Sequence, residues 1–142
     1  MSSIVRSMLL AAVVAFLAAS GAQAEAGKPH RVVIQVDQND AEVMNLALNN
    51  AKNEDAVVEI VAYGPGLHML RDDTSPVKDR IKQLAELSFP STLTFSACNN
   101  TKQGMEKREG HPITIIPQAT IVPAGVVRIM ELEEQGYSYV KP

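Results

Sequence analysis

Past residue 30 the chain alternates between short apolar runs and longer segments with one apolar side. Arg31 to Val36 (RVVIQV) and Ala56 to Ala62 (AVVEIVA) are β-branched and almost unbroken. A third run, Leu93 to Cys98, begins the stretch LTFSACNNT; Thr120 to Val122 and Tyr137 to Val140 are the fourth and fifth. Short continuous runs of this kind predict strands buried on both faces. The intervening segments carry helical spacing. Ala41, Met44, Ala47, Leu48 and Ala51 share one face, with Asn39 as the predicted cap and Glu42 as its partner. Val77, Ile81, Leu84 and Ala85 form a second stripe after Pro76, which suits a first helical turn. Thr101 to Glu109 reads as a short polar helix, interrupted at Gly110 to Pro112. Pro123 opens the last helix, with Val126, Val127, Ile129, Met130 and Leu132 apolar, Glu131, Glu133 and Glu134 wet, and Gly136 at its C′ position. Leu67 to Leu70 predicts a short helical turn, and Ile113 to Ile116 an apolar run under a loop. The order β-α-β-α-β-α-β-α-β predicts one domain with a parallel sheet covered on both faces.

The first residues follow different rules. Met1 to Ala24 has a basic start at Arg6, an apolar core from Met8 to Ala19 and a small-x-small end at Ala22-Gln23-Ala24. That is the plan of a secretory signal peptide, residues 1–24, cleaved before Glu25, or two residues later at a fallback site. Its core of about a dozen residues falls short of the roughly twenty that span a bilayer. The expected product is a soluble exported chain with no stable membrane insertion, periplasmic in a Gram-negative host.

Charge and composition narrow the function. Beyond Arg6 there are 12 basic and 16 acidic side chains, and the basic ones are scattered. With three Phe, three Tyr and no Trp there is no stacking platform, so a nucleic-acid surface is not expected. The single cysteine excludes an internal disulfide and a C-x-x-C redox pair. Cys98, His68 and His111 match no compact zinc spacing, so no metal and no other cofactor is expected. No G-x-S-x-G motif appears, and Asp37, Asp40, Asp72 and Asp73 read as turn acids.

Candidate chemistry gathers where strands end, since ligands of open parallel sheets sit beyond the strand carboxyl ends. Cys98 closes the third strand and precedes Asn99-Asn100-Thr101, whose backbone N–H groups would face its sulfur at a helix start. A helix N-terminus lowers a thiol pKa, whereas plain apolar burial raises it and makes a cysteine a space filler. Gly64 and Gly66, in Tyr63-Gly64-Pro65-Gly66 at the second strand's end, fall on the same rim, although the spacing is not that of a phosphate loop. His68 and His111 are spatial candidates beside the thiol. Asn45, Asn49, Asn50 and Asn53 are many amides for one helix; they read as a polar surface or, for Asn50 in particular, as part of a site or subunit contact.

Four segments carry a family resemblance: Leu48-Asn49-Asn50-Ala51, VVEIVAYGPGLHML, FSACNNT and VPAGVVRIMELEEQGYSYVKP. In this order and spacing the chain resembles the DsrE/DsrF-like family, and within it the small exported members, over residues 27–142. The resemblance implies a three-layer α/β/α sandwich with a five-stranded parallel sheet, and homo-oligomers. It also implies sulfur carried as a persulfide on a cysteine at the position of Cys98, handed between a sulfur donor and an acceptor protein. The expected function is therefore a periplasmic persulfide carrier or transfer protein. Its expected site is Cys98 with Asn99, Asn100, Thr101, Gly64, Gly66, His68 and Asn50 for substrate. The alternative is a non-catalytic oligomeric module that binds a small ligand or a protein. Cys98 separates the two, because a carrier needs an exposed, reactive sulfur and a binding module tolerates serine there.

Overall fold

The computed structural model describes residues 27–52, 56–87 and 92–142. The expected signal segment, residues 1–24, lies outside the described residues, as do Asn53 and the break expected around Pro90. Five strands form one sheet: β1 (His30–Val36), β2 (Ala56–Ala62), β3 (Leu93–Cys98), β4 (Ala119–Val122) and β5 (Ser138–Val140). All pairs are parallel, in the order β4-β3-β2-β1-β5. The helices are α1 (Ala41–Asn50), α2 (Lys78–Leu87), α3 (Asn99–Glu109) and α4 (Gly125–Glu134), with a 3-10 helix at Gly64–Leu70. The architecture is a three-layer α/β/α sandwich.

The layers are unequal. From β1 to β4 the chain steps outward along one sheet direction, so α1, the 3-10 helix, α2 and α3 share one face. Met44, Leu48, Leu67, Leu70, Ile81 and Met105 meet Ile34, Ile60 and Phe95 there in the main core. The chain then recrosses the opposite face through α4 to set β5 beside β1. Only Ile129 and Leu132 of that helix join Val33 and Val61 in a second, small core. The sheet surface beneath α4 carries buried polar side chains instead: Gln35, Glu59 and Ser96. Strand parity explains the split, because odd positions of β1 and β2 and even positions of β3 point to the α4 side.

Several local expectations are corrected. Asp40, not Asn39, caps α1, its carboxylate accepting from the N–H groups of Glu42 at 2.7 Å and Val43 at 3.2 Å. Pro76 lies in the turn before α2, which begins at Lys78. The expected Gly-Pro turn and the helical turn after it are one 3-10 helix from Gly64. Gly66 within it presses on β1: a Cβ there would sit 2.1 Å from the Val36 carbonyl oxygen, so only glycine fits. α3 starts at Asn99 rather than Thr101. Val126, Val127 and Met130, expected on the apolar side of α4, are exposed. One helix turned toward a half-polar sheet face buries only a narrow stripe.

Candidate functional site

The site is set by the point where the winding reverses. Cys98 ends β3 opposite Val122 at the end of β4. From these neighbouring strands α3 leaves to one face and α4 to the other, the crevice where open α/β sheets bind ligands. The two helix starts are tied together: the Asn100 N–H donates to the Pro123 carbonyl at 3.3 Å. Cys98 is the N-cap residue of α3, in extended backbone.

Cys98 is 5% exposed. Burial is the largest influence on it and pushes its pKa up. The Thr101 hydroxyl and the backbone N–H groups of Thr101, Gly125 and Asn100 outweigh that, and the net pKa lies below the ordinary value. The sulfur makes no full capping hydrogen bond as the thiol. These nearby donors nonetheless favour the anion. The Thr101 hydroxyl accepts from the Gly64 N–H at 2.9 Å, which frees its own proton for the sulfur. Gly125 reaches the site because it has no side chain: a Cβ there would lie 3.0 Å from the Tyr63 Cβ.

Tyr63 opens a polar cluster beside the thiol on the α4 side. Its phenol accepts from Gln35 Nε2 at 2.6 Å, and the Tyr139 hydroxyl donates to Gln35 Oε1. Gln35 Nε2 also donates to Asp37 Oδ2 at 2.9 Å, where Lys141 Nζ donates at 3.1 Å. Burial first, then the charges of Asp37, Tyr139 and Cys98, hold the Tyr63 phenol above its usual pKa, so it stays protonated.

On the other face a cavity of about 490 Å³ adjoins Thr101, lined by Asn39, Gly64, His68, Asn100, Thr101 and Arg108 among others. No carboxylate lines it, and Arg108 has no ion-pair partner among the described residues. A larger hollow of about 750 Å³ runs past Lys28, Arg31 and Gly136 at the amino-terminal edge of the sheet, remote from the thiol.

The sequence-predicted residues divide accordingly. Cys98, Asn99, Asn100, Thr101, Gly64 and His68 gather at the strand carboxyl ends; His68 Nδ1 lies 2.8 Å from the Thr74 hydroxyl. Gly66 is adjacent and buried, with a packing role against Val36. Asn50 is exposed at the far end of α1, which descends toward the opposite sheet edge, and takes no part in this cluster. His111 lies beyond the other end of α3, 3.3 Å from Glu109 Oε2. Asn45 and Asn49 hold Arg80 of α2 through their side-chain oxygens. The exposed sulfur expected of a carrier is not present in the single chain, where Cys98 is buried at the junction of β3 and α3. Tyr63, Gly125, Asn39 and Arg108 are additions; Gly125 had no signal beyond its place after Pro123. Among the described residues no group of three His, Cys, Asp or Glu side chains is placed to hold a metal ion.

No protein-family model matches the chain, and no curated protein matches it. Among solved structures it is similar to the protein of unknown function MTH1491 from Methanobacterium thermoautotrophicum. The identity is 27%, the TM-score 0.66, and the match covers 80% of this chain and 99% of that one. This distant likeness is consistent with the broader DsrE/DsrF-like sulfur-relay superfamily and does not single out an exported branch. No helix among the described residues is long and apolar enough to cross a membrane.

Proposed function

We propose that the protein is a sulfur carrier that holds a persulfide on Cys98. The observation that supports this most directly is the convergence of two helix starts on one thiol. The N–H groups of Asn100 and Thr101 from α3 and of Gly125 from α4, with the Thr101 hydroxyl, favour negative charge at the sulfur. Such a frame serves the nucleophilic thiolate first and the terminal persulfide anion afterwards. In the loading step the thiolate attacks the sulfane sulfur of a donor. A new S–S bond forms, the donor's bond to that sulfur breaks, and its electron pair leaves with the remainder, sulfite in the case of thiosulfate. In unloading, an acceptor thiolate attacks the outer sulfur and Cys98 leaves as thiolate, so neither step needs an external oxidant.

The cavity beside Thr101, with Arg108 and no carboxylate, favours an anionic donor. Export by the N-terminal segment would place this chemistry in the periplasm, and the exposed apolar face of α4 suits a homo-oligomer. The burial of Cys98 favours a second reading, a ligand-binding module with a structural thiol. Intact mass after treatment with thiosulfate or polysulfide decides between them. The carrier gains the mass of sulfur, and Cys98→Ser gains none while remaining folded. No added sulfur in the wild type would reject the carrier and leave the binding module.

A further inference from the structure

We propose that Glu59 and Arg128 are positioning residues for Cys98, a clamp that seats the start of α4 against the end of β3. A glutamate in the middle of a central strand is otherwise unexplained. Glu59 is 5% exposed, and its carboxylate faces the polar underside of α4. Arg128 meets it with two parallel bonds, Nε to Oε1 at 2.7 Å and Nη2 to Oε2 at 2.8 Å. The Ser96 hydroxyl donates to the same Oε1 at 2.6 Å. The carboxylate is therefore bonded both to β3 and to α4.

The spacing makes these bonds bear on the thiol. Ser96 lies two residues before Cys98, on the same side of β3. Arg128 lies three residues after Gly125, on the same side of α4 and one turn in. Glu59 thus joins the two elements that meet at the sulfur, one step back from the meeting point on each. Apolar adhesion of α4 is thin, since only Ile129 and Leu132 reach the second core. The bidentate pair supplies the direction that those two contacts lack. Arg128 also lies 3.5 Å from Glu131 on its own helix, a looser contact that orients the guanidinium without reaching the sheet. A Cβ on Gly125 would lie 3.0 Å from the Tyr63 Cβ, so the clamp holds a side-chain-free helix start against Tyr63.

The clamp bears on the same thiol as the carrier reading, and its test does not require sulfur transfer. The readout is the pH profile of Cys98 alkylation in the full chain, beside its melting temperature. In Glu59→Gln/Arg128→Met the Ser96 hydroxyl keeps an acceptor and no buried charge is left alone, so the fold is retained. Losing one nearby N–H donor should lower the thiolate fraction near neutral pH about fivefold and move the midpoint of the profile to higher pH, whereas uncovering the sulfur raises only the limiting rate at high pH. Arg128→Lys, with its charge kept and its fork lost, should fall between the double variant and the wild type. Folded variants that alkylate along the wild-type profile would overturn the clamp, even if Cys98 accepts sulfur. A shifted profile in a protein that takes up no sulfur would sustain the clamp and reject the carrier.

Discussion

Cys98 holds two opposed influences within one side chain. Removal from water disfavours the thiolate, and the nearby donors of Thr101, Gly125 and Asn100 favour it; the donors prevail. A sulfur filling space in an apolar core would show the opposite balance. The direction has a consequence for stability. With the folded pKa below the unfolded one, the native state binds fewer protons in the interval between them. Stability from this group therefore grows as pH rises through that interval, levels off above the unfolded value, and is lost as pH falls through the folded value. Urea midpoints of the wild type and Cys98→Ala, measured from about pH 6 to about pH 10, should diverge in favour of the wild type with rising pH. A gap that narrows instead would mean that burial governs the thiol.

Elements around the site are joined by polar contacts where apolar ones run short. Arg71, at the end of the 3-10 helix, is 2% exposed and holds two carboxylates. It donates to Asp73 at 2.9 and 2.7 Å and to Glu109, at the end of α3, at 2.7 and 2.9 Å. Its backbone bridges to Ile115, which pins the segment leading to β4. Arg71 hydrogen bonds hold the carboxyls of Asp73 and Glu109 below their usual range. Their contribution is present above the ordinary carboxylate pKa and is lost as pH falls through the folded values. Arg71→Met keeps most of the stem and should cost about 2 kcal/mol at neutral pH. Its urea midpoint should also fall less than that of the wild type on acidification. Equal acid sensitivity of the two proteins would contradict this account.

At the scale of the molecule, the unequal layers leave α4 with an uncovered outer side. Val126, Val127 and Met130 are 54%, 51% and 55% exposed, on the helix whose start contacts the thiol. Ile121 and Tyr139, on the two edge strands, are exposed as well. Exposed apolar side chains along one helix, together with open sheet edges, favour association. We expect a homo-oligomer in sedimentation equilibrium across micromolar concentrations, and a shift toward one chain mass in Val127→Glu/Met130→Glu. A wild type at one chain mass throughout would remove the oligomer from the proposed function.

The linear pattern by itself determined the five strands, the alternation with helices and the parallel sheet, because short β-branched runs between helical stripes mark each strand; burial on both faces held only for the central strands, since β5 is exposed throughout and β4 is exposed in its middle. It also placed Cys98 at a strand end ahead of a helix, a relation between neighbours in sequence. Boundaries such as the Asp40 cap were less legible, since adjacent Asn39 and Asp40 offer the same capping chemistry and only backbone geometry selects between them. The tertiary structure decided what depends on distant residues. Gly125 reaches the sulfur because β4 pairs with β3 and α4 leaves on the opposite face. Glu59 meets Arg128 across 69 positions of sequence. The amides of α1 separate by height along the helix: Asn50 is carried toward the far edge of the sheet, while Asn39, just before the helix, lines the cavity. Local periodicity encodes which side of an element is buried; it does not encode which elements converge, and at Cys98 that convergence favours the thiolate.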